Sequence, residues 1–164
     1  MADSGIPLRR SPLSLPALLQ AIQDLMQPQA KALDVTLRVA VERNAPQTVF
    51  ADRRKIAWAI TALIGNALRY VRHGTGRMPG GSISVTATPD PETGDAALEI
   101  QDDGPGIPAD TVRATDTDVD NPRAGLALAM VRDVILAHGG TLAIRSRTDA
   151  VSHGTTIRFT LPVS

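Results

Sequence analysis

Two pairs of short segments in the second half of the chain alternate apolar and polar residues, and a turn-rich stretch separates the members of each pair. SISVTAT and AALEIQD flank PDPETGD, while TLAIRSR and TIRFTLP flank TDAVSHGT. Alternation at a period of two, rich in β-branched residues, marks strands that turn one face to a core and the other to water. Members joined so closely have room only for antiparallel hairpins. The sheet they form needs helices to cover its apolar face. In LSLPALLQAIQDLMQPQAKAL, residues Leu18, Leu19, Ile22, Leu25 and Met26 recur at helical spacing, with Ser14 as N-cap and Pro16 in the first turn. VTLRVAV reads as another strand, and NAPQTVFAD as an extended loop ending at Asp52, a good N-cap. A long helix then runs from Arg53 to about Val71, with Ile56, Ile60, Leu63, Ala67 and Val71 as its apolar stripe. A third helix, GLALAMVRDVILAHGG, closes on a glycine pair suited to a C-cap. A few helices with hairpin-connected strands predict an α+β two-layer sandwich rather than a doubly wound parallel sheet.

The 164 residues are enough for one continuous core. Residues 1–12 read as a Pro- and Arg-bearing leader and 13–164 as the domain, with no internal repeat and no clear linker. Cysteine is absent, which removes disulfides and thiolate metal sites. Seventeen basic residues balance seventeen acidic ones, so no general field draws the chain to nucleic acid or to an anionic membrane. The apolar run LALAMV and VILA is interrupted by Arg132 and Asp133 and is too short to span a bilayer. The opening residues lack the pattern of a signal peptide, and the expected address is the cytoplasm. Any ligand must be held by a local site.

Three stretches have the residue types for such a site. On the long helix, Ala62, Asn66, Arg69, Tyr70 and His73 follow at steps of three or four and share a face. An asparagine in mid-helix competes for backbone groups, so Asn66 either bonds a nearby loop or serves a ligand. Its amide oxygen is a hard ligand suited to one position on Mg²⁺ whose other ligands are phosphates and water. The stretch QDDGPGIP delivers Asp102 at the end of a strand, and Gly104 and Gly106 remove two Cβ atoms where a flat ligand can approach. Gly125 precedes a helix whose free N–H groups and dipole can receive phosphate. Each stretch alone also fits an ordinary turn or helix start.

Together and in order, ALIGNALRYV, DDGPGIP and AGLALAMVRDVILAHGG, closed by GTTIRFTLP, resemble the catalytic ATP-binding domain of bacterial sensor histidine kinases. That domain is a branch of the Bergerat-fold family, which includes type II topoisomerases, mismatch-repair ATPases and heat-shock chaperones. The resemblance runs from about Leu13 to Pro162. It implies a mixed, mostly antiparallel sheet with helices on one face, and it implies ATP and Mg²⁺ as cofactors. By resemblance Asn66 is the magnesium ligand, Arg69 reaches phosphate and Tyr70 lies beside the nucleotide. Asp102 becomes the adenine-reading carboxylate, with Gly104, Gly106 and Ile107 in the first glycine box and Arg123, Gly125 and Leu126 in the second. Thr155 completes the contacts. A guanine carbonyl would meet the Asp102 carboxylate with no proton between them. Asp103 reads as a turn former, and His138, in HGG, as a cap at the helix end.

The sequence also departs from the family pattern. Arg123 and Ala127 take two glycine places of the second box, each adding a side chain where backbone approaches phosphate, although Arg123 also brings a charge. The lid segment, Ala109 to Ala124, is short, acidic at Asp116, Asp118 and Asp120, and without phenylalanine. None of His73, His138 and His153 looks like a phosphoacceptor, and no residue is assigned as catalytic with certainty. The implied activity is transfer of the ATP γ-phosphoryl group to a histidine on a separate dimerisation domain, in cis or in trans, with a response regulator downstream. Two alternatives stay open: a non-catalytic adaptor of the same fold, and a serine kinase of the anti-sigma type.

Overall fold

The structure, a computed structural model, describes residues 6–71, 80–103, 122–148 and 153–164; at Tyr70, 122–126, 146–148 and His153 it describes the backbone only. Ten elements follow in order: β1 (Ser11–Ser14), α1 (Leu15–Ala32), β2 (Thr36–Val41), β3 (Thr48–Ala51), α2 (Arg53–Tyr70), β4 (Ser82–Pro89), β5 (Ala96–Asp102), α3 (Pro122–Ala137), β6 (Leu142–Thr148) and β7 (His153–Leu161).

Both expected N-caps are in place. Ser14 is extended, and its hydroxyl accepts the Ala17 N–H at 3.4 Å; Asp52 is extended, and its carboxylate accepts the Lys55 N–H at 3.3 Å. The α2 stripe of Ile56, Ile60, Leu63 and Ala67 is buried, and Val71 behind it is the C-cap. On α1 the expectation fails at Leu25, which is 63% exposed. At about 100° per residue, Leu25 lies about 80° round the helix from the line through Leu15, Ile22 and Met26, at the flank of the buried face.

The two hairpins form as expected, β4 with β5 and β6 with β7, and join through an antiparallel β5–β7 pair. Strand β2 adds in parallel to β4, giving five strands in the order β2-β4-β5-β7-β6. Leu37, Ile83, Val85, Ala87, Leu98, Ile100, Ile157, Phe159 and Leu161 are buried on one face. Arg38, Ser84, Glu99, Gln101, Arg145 and Arg158 stand on the other, exposed or half-buried. The sheet is thus a mixed, mostly antiparallel layer, and the α+β sandwich predicted from the sequence is the architecture observed. Helix α1 packs on β2 and α2; α2 touches β4 and β5, and α3 touches β6 and β7. Helices α2 and α3 also pack against each other, so their seam lies over the β5–β7 pair.

The stretch read as a loop, NAPQTVFAD, contains β3 instead, paired antiparallel with β1 in a separate two-stranded sheet. Val49 and Ala51 are fully buried, a two-residue alternation that the short segment nearly hides. Its partner SPLS straddles the boundary drawn between leader and domain, and Pro12 in it is a poor strand former. Pro12 is tolerated because it stands opposite Phe50, whose N–H turns away to the Pro162 carbonyl at 3.0 Å. At the other end of the chain, a Cβ on Gly140 would lie 2.0 Å from the Thr160 carbonyl oxygen, and Gly139 has φ +80°. The pair that ends α3 is therefore required by close approach and by conformation. Among the described residues, no helix is long and apolar enough to cross a membrane.

Candidate functional site

Strand register fixes the centre of the site. Asp102, the last residue of β5, stands opposite Ile83 of β4 and Thr155 of β7. Counting by twos from Leu98 and Ile100 puts it on the helix-facing side of the sheet, half-buried at the end of the apolar face. Thr155 is 6% exposed on the same side. The next residue on β7, Gly154, has φ +144°, and a Cβ there would lie 2.4 Å from the Asp102 carbonyl oxygen. Strand β7 thus presses directly on the backbone of Asp102 and fixes its position. Asp103 has a different use: its carboxylate accepts the Ser82 N–H at 2.9 Å and bonds the Ser82 hydroxyl at 3.1 Å, closing the start of β4. Of the two adjacent carboxylates, one ties the end of β5 to the start of β4, a cross-strand use rather than the local turn expected of it, and the other faces the helices.

Asn66 lies half-buried in the fourth turn of α2, between the buried residues Leu63 and Ala67, with half-buried Ala62 one turn before it. Arg69 is exposed in the last turn, where a cation is favoured by the helix dipole. Tyr70 is the last residue of α2, and its side chain is outside the described residues. Gly104, Gly106, Ile107 and His73 also lie outside them, as does the lid segment apart from its last three residues. Gly125 does not precede its helix: α3 begins at Pro122, so Arg123, Gly125 and Leu126 fall within its first turns. Proline at the first helical position has φ preset and no N–H to leave unbonded, which lets the helix start earlier than the apolar run suggests. Gly125 is the fourth residue of α3, so the N–H groups without helical acceptors are those of Arg123 and Ala124 just ahead of it.

His138 caps the end of α3, as expected, but it has a second partner that sequence reasoning misses. The residue is fully buried. Its Nε2 accepts the backbone N–H of Asp52 at 3.0 Å, and its Nδ1 is 2.8 Å from the Val134 carbonyl oxygen. A backbone N–H can only donate, so Nε2 is the acceptor and Nδ1 carries the proton. Burial holds the imidazole below its ordinary pKa of 6.5; the Val134 carbonyl and Asp52 pull the other way, and the charges of Arg10 and Lys55 reinforce burial. Asp52 in turn accepts the Arg9 N–H at 2.9 Å and pairs with the Lys55 ammonium at 3.6 Å. Burial pushes that carboxyl up, but the hydrogen bonds from Arg9 and Lys55 and the Lys55 charge outweigh it and leave the pKa lowered. Arg10 donates to the Ala137 carbonyl at 2.7 Å. No local sequence signal marks this node, because the N-cap aspartate and the histidine at the helix end lie 86 residues apart.

Comparison with known proteins bears on the family and the fold. The adaptive-response sensory kinase SasA of Synechocystis sp. is 30% identical over 98% of this chain and 41% of its own length. This chain spans less than half the length of the curated relatives it matches. The crystal structure of full-length ShkA in complex with AMPPNP superposes with a TM-score of 0.80 at 25% identity, covering 97% of this chain and 32% of that one. The mycobacterial sensor histidine kinase MprB superposes with a TM-score of 0.76 at 27% identity, covering 94% of this chain and 97% of that one. The sequence profile described as "Histidine kinase-, DNA gyrase B-, and HSP90-like ATPase" matches residues 51–164. The chain therefore belongs to the histidine kinase-, DNA gyrase B- and HSP90-like ATPase family.

Proposed function

We propose that this chain binds ATP with Mg²⁺ as the catalytic domain of a sensor histidine kinase and transfers the γ-phosphoryl group to a histidine on a separate dimerisation domain. The observation that carries the reading is the meeting of Asp102 and Thr155 at the end of the β5–β7 pair, under the seam of the helices that bear Asn66 and Gly125. Asp102 accepts a hydrogen bond from the adenine amine, and Gly104 and Gly106 leave room for the ring. Ile107, Leu126 and Tyr70 flank the nucleotide, while Arg69 and Arg123 neutralise phosphate charge. The start of α3, near Gly125, offers N–H groups to the phosphates.

The donor set at Asn66 suits magnesium. One carboxamide oxygen is a hard ligand, and no three His, Cys, Asp or Glu side chains converge among the described residues. Asn66 would hold the cation through that one oxygen, and its other ligands would be phosphate oxygens and water. When bound it spreads the charge of the transferring phosphoryl group. The chain's own residues hold and orient the nucleotide, so catalysis is positioning rather than covalent chemistry. A response regulator receives the phosphoryl group downstream, and the domain works in the cytoplasm, where ATP is supplied.

Titration calorimetry with ATP and Mg²⁺ tests the reading. The parent chain is expected to bind saturably and to prefer ATP to GTP. Asp102→Asn, which replaces acceptor capacity with a donor, is expected to weaken ATP by about 1–3 kcal/mol, the usual cost of an unpaired buried polar group. Unchanged affinity in that variant removes Asp102 from the adenine site; no binding by the parent chain leaves the non-catalytic adaptor as the reading.

A further inference from the structure

Consecutive residues ahead of β1 hold opposite helices. Arg9 gives its backbone N–H to the Asp52 carboxylate at the N-cap of α2, at 2.9 Å. Arg10 gives its guanidinium to the carbonyl of Ala137, the last residue of α3, at 2.7 Å. Between these contacts the buried His138 ring joins the same two ends, accepting from the Asp52 N–H and donating to Val134. Helices α2 and α3 are thus pinned to each other at one end.

Their other ends carry the nucleotide motifs. Asn66 is fourteen residues along α2 from Asp52, and Gly125 thirteen residues back along α3 from His138, so at about 1.5 Å per residue each lies about 20 Å from the pin. Two stiff helices tied at one end and packed on each other and on the sheet carry a change of angle at the tie along their length. The segment with Arg9 and Arg10 spans that tie, one contact to each helix. Because β1 continues from it and pairs with β3, which runs straight into Asp52, a displacement of the segment has no slack in which to be lost.

We infer that residues 6–10 are a coupling strap: their seating on Asp52 and Ala137 sets the angle between α2 and α3 and thereby the nucleotide affinity about 20 Å away. By linkage the coupling runs both ways, so bound nucleotide tightens the strap by the factor with which the seated strap strengthens nucleotide binding. The regulatory part of this inference rests on the nucleotide-site reading above; the mechanical part does not.

Arg10→Met keeps the apolar stem and removes only the guanidinium; adding Arg9→Pro removes the N–H as well. Amide hydrogen exchange is measured on both variants and on the parent, without nucleotide and with saturating ATP and Mg²⁺, alongside calorimetric ATP titration. The variants are expected to exchange at least threefold faster at the far ends of the helices, residues 63–70 and 127–131, as well as near the tie. ATP affinity is expected to fall at least threefold, and in the parent ATP is expected to slow exchange at Arg9 and Arg10. Faster exchange confined to residues 52–56 and 134–140, with the far ends and ATP affinity unchanged, overturns the strap. Should the parent bind no ATP, the nucleotide reading fails and exchange at the far ends alone decides the coupling. Should Arg9→Pro unfold the chain, the same measurements on Arg10→Met, which alters one exposed side chain, decide it.

Discussion

Replacing His138 with phenylalanine removes the nitrogens of the buried ring and puts a flat, slightly larger ring in its place. The substitution keeps a flat ring in a fully buried site but removes the Nε2 acceptor, leaving the Asp52 N–H buried without a partner. The Val134 carbonyl is not orphaned, because it still receives the backbone N–H of residue 138 at 3.2 Å. The cost is therefore that of one unsatisfied buried donor, about 1–3 kcal/mol. In a domain of this length each kcal/mol moves the melting temperature by about 2–4 °C, so His138→Phe is expected to melt about 2–12 °C below the parent at neutral pH. The urea midpoint should fall with an unchanged slope, since the surface exposed on unfolding is the same. The gap should also depend on pH. The folded imidazole has a lowered pKa, so below the unfolded value of 6.5 the unfolded chain takes up a proton that the folded chain resists. This contribution is complete above pH 6.5 and is lost as pH falls from there through the folded value, so parent and variant should converge on acidification. Equal melting temperatures at neutral pH, or a gap that stays constant on acidification through the histidine range, would refute the tautomer and the bond derived from it.

Asn66→Ala is expected to lose the Mg²⁺ dependence of ATP binding, read by titrating ATP with and without the cation; equal Mg²⁺ dependence in parent and variant removes the metal role. Gly140→Ala drives a Cβ to 2.0 Å from the Thr160 carbonyl oxygen and should cost about 3 kcal/mol or more by urea unfolding, whereas a value below about 1 kcal/mol would mean that the α3–β7 contact yields easily. Ala62, one turn before Asn66, has a methyl group that can neither accept a proton nor hold a water. The chain alone is therefore expected to release negligible phosphate from γ-labelled ATP and to carry no label itself, and rapid release that an Asn66 substitution abolishes would overturn the transfer-only reading.

Much of the architecture was legible because the sheet announces itself locally. Each hairpin lies within one stretch of sequence, and alternation along β4, β5, β6 and β7 names the buried face before any partner is known. The caps Ser14 and Asp52 were legible for the same reason: the chemistry of an N-cap is complete within one turn. What escaped depends on distant partners. Strand β3 has four residues and pairs with a proline-bearing segment 37 residues away, too little pattern to outweigh its loop-like surroundings. Leu25 shows the limit of reading stripes, since a residue at the flank is apolar whether or not anything covers it. At the site, Asp102 could be singled out by the glycines beside it, but its pairing with Thr155 is a property of register between strands 53 residues apart. His138 was legible as the end of a helix and not as a link between two, because nothing near it in sequence mentions Asp52.

The short β3 also settles where the backbone enters and leaves. Pro12 stands opposite Phe50 on one side, and the Pro162 carbonyl takes the Phe50 N–H on the other. At about 4.8 Å between neighbouring strands, residues 12 and 162 are within about 10 Å of each other, with one strand between them. The domain thus has its two connections at a single edge, like a cassette with both contacts on one side. The exposed turn between Asp90 and Asp95 offers a place to open new ends in a chain rejoined across that edge. The same geometry lets the whole domain be set into a loop of a host protein while the host's flanking elements stay close together, so that its placement among other modules is limited by the surroundings of one edge and not by the length of the fold.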